Sequence, residues 1–429
     1  MIRKLRKLLF LLLLPFLYCT HSPSADINQL ENGITLISQK KKTPISSAVL
    51  LLPYGSAHGT EHLAALMSNT MLRGTDIRTS QQFHEEIELM GGRINIETDL
   101  TQTLVWIQAP KNYFNDCFYL LCETVAKPSF DEPEIEMVYQ RLLKESSKDY
   151  QVYLRTRSWI DDKVREQLFV QSPLARNRYR ISEQHSREEL VALHDAYVHP
   201  SEMLFALVGD IDRSRILKTL DKFWPMEKAE HLDPLPAEVL AGENDCPSVH
   251  IFHEVSEPAL AYLAVQAPAR MDTGCIEMHL LSKALTLNYP LWRSYLKLSS
   301  SPNNPLQLRA RYQSGDSYGY FYVGTQRPVQ DIQETQVILN KFVEHLQKDG
   351  IEQEVFEIAK RQLLFELVYG EQFSLNQAIR LALYYGITHP YVWDIEDAID
   401  RVEAVTLSDM NRTLSHVLKS PCYVINKPE

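Results

Sequence analysis

The feature of this sequence that most constrains its fold is a pattern that occurs near the end of each half. Residues Ser186–Glu189 have the Ser-x-x-Glu spacing of a helix capping box, and the apolar, strand-like segment Met203–Gly209 follows the helix that they open. Residues Thr406–Asp409 open a second helix in the same way, and the strand-like segment Cys422–Ile425 follows it. Two halves that end alike indicate an internal duplication.

The rest of each half alternates strand-like and helix-like segments. We therefore predict an α+β fold of two homologous two-layer domains, each a mainly antiparallel sheet packed with helices. The length of 429 residues suits two domains. We place the N-terminal domain at residues 26–226 and the C-terminal domain at residues 248–429. The stretch between them, residues 227–247, is rich in Pro, Glu, Asp and Gly and is the predicted linker.

The N-terminus has the composition of an export signal. Its first seven residues carry four cations, and the apolar run Leu8–Tyr18 that follows is too short to span a bilayer, so residues 1–25 are a predicted signal peptide. Cys19 lies where a bacterial lipoprotein would be lipidated; the alternative is cleavage after the small residues Ser22–Ala25. We expect an exported protein, periplasmic or lipid-anchored in the bacterial cell envelope, that touches the membrane only through an N-terminal lipid.

The net charge argues against nucleic-acid binding, and the cysteine content argues against cysteine-based structural sites. The net charge of −11 and the lack of a basic stripe disfavour nucleic-acid binding. The cysteines after Cys19 are scattered and form no Cys-x-x-Cys pair, which argues against a disulfide framework and a cysteine zinc site. They are Cys117, Cys122, Cys246, Cys275 and Cys422.

The segment His58-Gly-Thr-Glu61-His62 matches the string His-x-x-Glu-His. On a helix, positions i, i+3 and i+4 project from one face, so two imidazoles can bind zinc while the glutamate deprotonates the attacking water. The string therefore raises the hypothesis of a zinc peptidase.

The order of further motifs resembles that of the insulinase/pitrilysin-type zinc metallopeptidases, the inverzincins. The resemblance covers nearly the whole chain after the signal peptide and is closest to the non-catalytic subunits of that family. The motifs that carry it are Arg73-Gly74-Thr75, Gly91-Gly92, Lys127–Phe130, Tyr197–Pro200, Val208–Asp210 and Gly350–Glu354.

The resemblance implies a particular site if the protein is active. His58, His62 and Glu145 would be the zinc ligands, zinc would be the cofactor, and Glu61 would be the general base. Arg293 would hold the substrate in the second half, although the family's tyrosine about seven residues later is absent here. Tyr295 and Tyr312 lie at the wrong distances to replace it.

The register of the motif favours a different interpretation. In the family, the Gly-Thr that closes the zinc helix comes about five residues after the second histidine, whereas Gly74 comes twelve residues after His62. Counting back from Gly74 places Ala65, Ser68 and Asn69 at the positions of the histidine, glutamate and histidine. Those side chains cannot assemble a zinc site.

The helix start decides between the two registers. If Thr60 is the N-cap, His58 lies outside the helix, whereas an N-cap at Ser56 would put the whole string on one face. In either case a core-facing stripe is predicted at helical spacing. It consists of Leu63, Leu66, Met67 and Met71.

Two other segments have chemistry-bearing residues. His250 and His253 lie in an alternating strand and point to opposite faces, so they do not predict a metal site. The run Tyr318–Tyr322 is typical of a sheet edge or core strand rather than a stacking platform.

The sequence supports two functions. The first is a non-catalytic peptidase homologue of the cell envelope, a partner subunit or peptide-binding protein that takes extended peptides by strand addition and associates with itself or with a catalytic paralogous peptidase subunit. The alternative is an active zinc metalloendopeptidase that cleaves peptides through His58, Glu61 and His62 with Glu145.

Overall fold

The structure is a computed structural model of the 429-residue chain. It describes residues 25–59, 62–148, 157–175, 184–225, 249–253, 259–270, 272–287, 308–327, 332–385, 395–419 and 421–427. The predicted linker and all of the predicted signal peptide except Ala25 lie outside the described residues, as does Cys19.

The first half alternates strands and helices. Its strands are β1 (Asp26–Gln29), β2 (Thr35–Lys40), β3 (Ile45–Leu52), β4 (Gly74–Thr75), β5 (Arg78–Thr79), β6 (Arg93–Thr98), β7 (Thr103–Pro110) and β8 (Leu204–Gly209). Its helices are α1 (Leu63–Met71), α2 (Ser80–Leu89), α3 (Phe114–Ala126), α4 (Glu132–Lys148), α5 (Arg157–Leu168), α6 (Arg187–Tyr197) and α7 (Arg213–Phe223).

The second half has a similar alternation. Its strands are β9 (Val249–Phe252), β10 (Ala259–Gln266), β11 (Arg309–Ser314), β12 (Gly319–Arg327) and β13 (Cys422–Asn426). Its helices are α8 (Cys275–Thr286), α9 (Ile332–Asp349), α10 (Gln353–Gly370), α11 (Ser374–Tyr385), α12 (Ile395–Ala404) and α13 (Leu407–Val417). Both predicted capping boxes are confirmed, with Ser186 and Glu189 opening α6 and Thr406 and Asp409 opening α13.

The two main sheets have the same internal order. Sheet 1 runs β1-β2-β8-β3-β7-β6, and sheet 2 runs β11-β12-β10-β13-β9. In each sheet one parallel pair, β2 with β8 or β9 with β13, adjoins a set of antiparallel strands. The predicted pair of mainly antiparallel α+β domains is therefore confirmed.

Each sheet buries one face in its own half. Helices α1, α3, α6 and α7 pack on sheet 1, and the predicted stripe of Leu63, Leu66, Met67 and Met71 is buried there. Helices α8, α9, α10 and α13 contribute to the corresponding core on sheet 2. These two cores fix the backbone of the segments that carry the candidate site.

The opposite face of each sheet is covered by a helix from the other half. Helix α11 places Ala378, Leu381 and Ala382 against β2, β3, β7 and β8 of sheet 1. Helix α5 places Trp159 and Val164 against β10, β12 and β13 of sheet 2. The halves therefore exchange one helix each and are joined across two buried interfaces.

The two exchanged helices differ in polarity. Asp162 and Arg165 of α5 form a fully buried ion pair, and Arg165 also donates to the Leu174 carbonyl (2.6 Å). Asp161 accepts from Arg311 of β11 (2.5 Å). Helix α11 meets sheet 1 mainly through apolar side chains.

Three further features of the sequence can be compared with the described residues. Tyr320 and Tyr322 are buried in β12, so Tyr318–Tyr322 includes a core strand, as predicted. Cys422 takes part in a disulfide bond, which the scattered spacing of the cysteines did not predict. No helix within the described residues has both the length and the apolar character needed to cross a membrane.

Candidate functional site

His58 lies after the end of β3 and His62 lies just before α1, so neither histidine of the string is within a helix. The Ser56 N–H donates to the Asp99 carbonyl (2.9 Å) and the Ala57 N–H to the Leu100 carbonyl (2.8 Å), which ties the loop to the β6–β7 hairpin. A side chain at Gly55 would meet the Asp99 carbonyl at 2.4 Å, so this close approach requires glycine. The loop conformation is thus set by backbone contacts.

His58 is held inside this loop. Its Nδ1 accepts a hydrogen bond from the Gly55 N–H (3.0 Å), and its ring lies edge-on to Tyr197 at 5.0 Å. The side chain is buried. These contacts give His58 a structural role in closing the turn after β3.

Helix α1 begins at Leu63, after the second histidine. His62 occupies the N-cap position with a left-handed φ of 69° and makes no side-chain capping bond. The prediction that Ser56 or Thr60 caps this helix is wrong, because backbone contacts to the β6–β7 hairpin hold the chain in turns through Gly59. His58 and His62 therefore do not share a helical face.

The assignment of a general base falls partly outside the described residues. Thr60 and Glu61 are not described, so a catalytic role for Glu61 stays a prediction. The backbone of Glu145 lies in α4, but its side chain is also outside the described set. Arg293 lies outside the described residues as well.

The alternative register falls on α1 itself. Ser68 is fully buried, and its hydroxyl is bonded to the Tyr54 hydroxyl (2.9 Å) and accepts from Thr98 of β6 (2.8 Å). Thr103 closes this network by donating to the Tyr54 carbonyl (2.8 Å). Burial raises the pKa of Tyr54 to about 12, so its hydroxyl is a neutral hydrogen-bonding group.

Asn69 is hydrogen-bonded to the guanidinium of Arg141. Its amide nitrogen donates to the Ala65 carbonyl (2.8 Å), and its Oδ1 accepts from the Arg141 guanidinium of α4 (2.8 Å). Arg141 lies one helical turn before Glu145, the predicted distal ligand. A guanidinium therefore lies on the side of α1 from which the distal carboxylate, the third protein ligand, would be expected to approach.

These residues do not fit a zinc ion. Ala65 has no donor atom, Ser68 is engaged in a buried hydroxyl network, and the Asn69 oxygen is bonded to a positive charge. In the part of the chain that the structure describes, no three His, Cys, Asp or Glu side chains are grouped to hold a metal. No catalytic step through zinc follows from this geometry.

The sheet edge next to α1 is open. Strand β6 is the last strand of sheet 1, and among the described residues no strand pairs with its outer side. The Asp99 N–H donates to the Gln102 carbonyl (2.8 Å), which makes this a hydrogen-bonded pair. Because such pairs alternate in antiparallel sheets, the backbone groups of Thr98, Ile96 and Ile94 point to the free edge.

Two parts of this site could not be read from the motifs. Thr98 and Arg141 were not singled out in the sequence, although Arg141 shares a face of α4 with Glu145 at a spacing of four residues.

Tyr312, already judged misplaced for substrate binding, is buried and donates to the Pro268 carbonyl (2.6 Å). The Tyr312 hydroxyl therefore forms a hydrogen bond within the second half.

The fold defines a peptidase-like protein with two matched α+β domains. Family models agree with this class. Residues 35–180 match the model described as insulinase (peptidase family M16), and residues 185–363 match the model described as the peptidase M16 inactive domain. The chain belongs to the insulinase (M16) family of peptidases.

Individual relatives are distant. An uncharacterised zinc protease from Rickettsia bellii is 22% identical over 51% of this chain and 54% of its own length, so the chain matches about half of that relative. The mitochondrial-processing peptidase subunit beta of Saccharomyces cerevisiae is 23% identical over 65% of this chain and 66% of its own length. Subunit 1 of the cytochrome b-c1 complex of Bos taurus is 21% identical over 56% of this chain and 53% of its own length.

Solved structures support the same fold. A protease from Helicobacter pylori superposes with a TM-score of 0.79 at 17% identity and covers 95% of this chain and 100% of its own. A peptidase M16 inactive domain from Pseudomonas fluorescens gives a TM-score of 0.80 at 16% identity over 95% of this chain and 98% of its own. At such identities the likeness concerns the fold alone.

Proposed function

We propose that this protein is a non-catalytic member of its family that binds extended peptides as a subunit of a larger peptidase assembly. The observation that carries the proposal is the state of α1. Ser68 of this helix belongs to a buried hydroxyl network, half-buried Asn69 is bonded to Arg141, and both histidines of the string precede the first helical residue. A helix arranged in this way offers packing and hydrogen bonding instead of metal ligands.

Strand β6 is the proposed peptide site. An added strand would bond to the backbone groups of Ile94, Ile96 and Thr98, and these groups supply affinity without selecting a sequence. The side chains of Ile94 and Ile96 are half-buried beside the first core, and alternate peptide side chains would lie next to them. Extended, partly apolar peptides are therefore the expected ligands.

Association with another peptidase-like subunit is supported by the named relatives. The first is named as subunit beta of the mitochondrial-processing peptidase, and the second as subunit 1 of the cytochrome b-c1 complex. If this chain is organised like these relatives, its two peptidase-like domains would work beside a further copy of the chain or beside a catalytic paralogue. Zinc would belong to the catalytic partner in the second case.

Export to the cell envelope is part of the proposal. The cationic start and apolar run of residues 1–25 support it. The disulfide bond of Cys422 is also consistent with an oxidising compartment. Intact mass of the mature protein from membrane and soluble fractions would distinguish lipidation of Cys19 from cleavage after Ser22–Ala25.

The deciding experiment combines metal content, cleavage and peptide binding on the purified mature protein. We expect no stoichiometric zinc, no cleavage of a quenched peptide library, and measurable binding of extended peptides by fluorescence anisotropy. One equivalent of zinc, with cleavage abolished by Glu61→Gln, would overturn the proposal in favour of the zinc metalloendopeptidase.

A matched pair of variants tests the strand β6 site. Ile96→Pro removes an outward-facing N–H at an edge position where proline is tolerated, and Ile96→Ala removes apolar atoms while retaining that N–H. We expect peptide affinity to fall about tenfold more in the proline variant than in the alanine variant. Equal losses in both variants would place the peptide elsewhere.

A further inference from the structure

One end of sheet 1 brings together the termini of several strands. Strand β2 ends at Lys40, which is level with Gly209 at the end of β8. Strand β3 begins at Ile45, which pairs with Pro110 at the end of β7. Strand β6 begins at Arg93, two positions inside that border. These strand termini define one border of the sheet, which we call the Lys40 end.

The Lys40 end is rich in cations. Lys40, Lys41 and Lys42 follow one another at the junction of β2 and β3, and Arg93 and Lys111 lie beside them at the termini of β6 and β7. Lys40, Lys42 and Arg93 are exposed, and none of the three is ion-paired within the described part of the chain. These three charges are therefore available to a partner.

Half of the carboxylates at this end are already engaged. Asp210 pairs with Lys111 (3.2 Å), and the side chain of Asp212 accepts from two backbone N–H groups at the start of α7. Asp26 and Glu88 are exposed and balance part of the positive charge. Because the three lysines and Arg93 outnumber these two carboxylates, the local charge is positive, although the whole chain carries −11.

Exposed apolar side chains lie beside the cations. They are Ile45 (46% exposed), Tyr113 (50%) and Leu89 (86%). The Tyr113 N–H donates to the Pro110 carbonyl (2.9 Å), and a side chain at Gly91 would touch the Pro110 ring at 3.4 Å, so the end of α2 and the start of α3 meet here. Apolar and aromatic side chains flanked by lysines are typical of surfaces that lie in a membrane interface.

The N-terminal segment enters the fold at the same end. Asp26 begins β1 and pairs with Ser38, two residues before Lys40. Cys19, the predicted lipidation site, lies seven residues before Asp26 in the sequence, which is at most about 25 Å of extended chain. A tether at the N-terminus would therefore hold the Lys40 end close to a bilayer.

We propose that the Lys40 end of sheet 1 docks on an anionic phospholipid surface. Its lysines and Arg93 would approach the headgroup phosphates, while Leu89 and Tyr113 would enter the interfacial layer. Because the chain as a whole is acidic, an anionic bilayer repels the rest of its surface, and the charge distribution selects this orientation. The inference rests on the export proposed above but not on lipidation of Cys19.

The opposite end of sheet 1 would then face away from the bilayer. Ile77 and Lys127 mark that end, where the Asp76 N–H donates to the Lys127 carbonyl (3.3 Å), and the ten-residue helix α2 leads from there to Leu89. The Thr98 end of β6 also lies on this side, so peptides could still reach the β6 edge. Ile77 is 72% exposed and Lys127 is exposed, so both provide matched controls.

Vesicle co-sedimentation tests the charge, with the mature chain expressed without its signal peptide and hence without a lipid. We expect binding to mixed phosphatidylcholine–phosphatidylglycerol vesicles but not to pure phosphatidylcholine vesicles. Lys40→Gln/Lys42→Gln should bind about 25-fold more weakly, about fivefold for each charge removed. Lys127→Gln/Lys348→Gln removes the same charge from exposed positions elsewhere and should change the affinity less than about twofold. Equal losses in the two variants, or no binding of the native chain, would overturn the proposal.

A fluorescent label locates the contact. An environment-sensitive dye attached at Tyr113→Cys should shift its emission to the blue on phosphatidylglycerol-containing vesicles, whereas the same dye at Ile77→Cys should not. The reverse pattern, or no shift at Tyr113→Cys, would refute this orientation. Peptide affinity of Lys40→Gln/Lys42→Gln should equal that of the native protein, and export is measured separately by cell fractionation. A failure of the lipid surface and a failure of the proposed function are therefore distinguishable.

Discussion

The two helices that the halves exchange can be compared directly, because each covers the outer face of an equivalent sheet. Helix α11 seals sheet 1 with small and apolar side chains, among them Ala378 and Ala382. Helix α5 seals sheet 2 while carrying the buried pair Asp162–Arg165 and the bond from Asp161 to Arg311. The same architectural task is therefore performed by apolar packing in both helices, and α5 adds buried charges to it.

The two interfaces therefore differ in the kind of substitution that destabilises them. Close packing responds to changes in volume, because there is no space into which a larger side chain can move. A buried ion pair responds to loss of either partner, because the remaining charge cannot be solvated. Predictions for the two helices therefore differ in kind as well as in size.

The largest effect is expected at the buried ion pair within α5. Arg165→Met removes the guanidinium that pairs with the buried Asp162 carboxylate and donates to the Leu174 carbonyl, at a cost of about 3–5 kcal/mol in free energy of unfolding. Urea denaturation measures it. Arg215→Met, at the exposed Arg215–Asp116 pair, is the control and should cost less than about 1 kcal/mol. Similar losses in both variants would show that burial of the pair is irrelevant.

A smaller effect is expected at the apolar interface. Ala378→Leu adds three carbons between α11 and sheet 1, where Ala378 is fully buried, and overpacking of this kind costs about 1–3 kcal/mol. Asn376→Leu, at an exposed position of the same helix, should be nearly neutral. A stable Ala378→Leu protein would mean that the contact between α11 and sheet 1 is loose. Thermal denaturation of both variants decides the matter.

The hydroxyl network on α1 should contribute less again. Ser68→Ala removes a bonding partner of both Tyr54 and Thr98, and we expect a loss of about 1–2 kcal/mol in the free energy of unfolding. Ser415→Ala in α13 is the control, because its hydroxyl is at an exposed site and bonds to the Asn411 carbonyl of the same helix (2.9 Å). If Ser68→Ala were neutral, the network would not be what holds α1 against β6.

The smallest effect on the free energy of unfolding at neutral pH is expected for His279 of α8. Burial, with Lys283 and Arg270 nearby, lowers the pKa of His279 to about 4, below its ordinary value of about 6.5. The unfolded chain therefore binds a proton that the folded chain excludes, so this residue's contribution to stability is complete above pH 6.5 and is lost as the pH falls toward 4.

The variant His279→Gln isolates this dependence. Its free energy of unfolding should change less between pH 7 and pH 4 than that of the native protein, because glutamine does not titrate. The measurement is a series of denaturation curves at fixed ionic strength. A variant with the native slope over that interval would exclude His279 as the titrating group.

Local signals predicted the elements well where the relevant chemistry lies within a few residues. Each capping box, at Ser186 and at Thr406, is contained in one helical turn and the core stripe of α1 in one short helix, so the sequence pattern is sufficient. The start of α1 was misjudged, because Ser56 and Thr60 resemble caps and the backbone bonds from Ser56 and Ala57 to the β6–β7 hairpin are non-local.

Other features could not be predicted for the same physical reason. An amphipathic pattern shows that α5 and α11 have apolar faces, but it does not show which sheet each face covers. The contact of Arg141 with Asn69 joins residues 72 positions apart, and the disulfide of Cys422 likewise depends on the tertiary fold. The edge position of β6 follows from the strand order, which no local pattern contains.

The exchange of helices has a consequence for how the gene could be divided. A protein ending within residues 227–247 would lack α11, and the apolar outer face of β3 and β8 in sheet 1 would be exposed to solvent. A protein beginning there would lack α5, and β10 and β12 of sheet 2 would be exposed in the same way. Either half alone would therefore need another cover for this face, for example the same helix supplied by a second copy of that half.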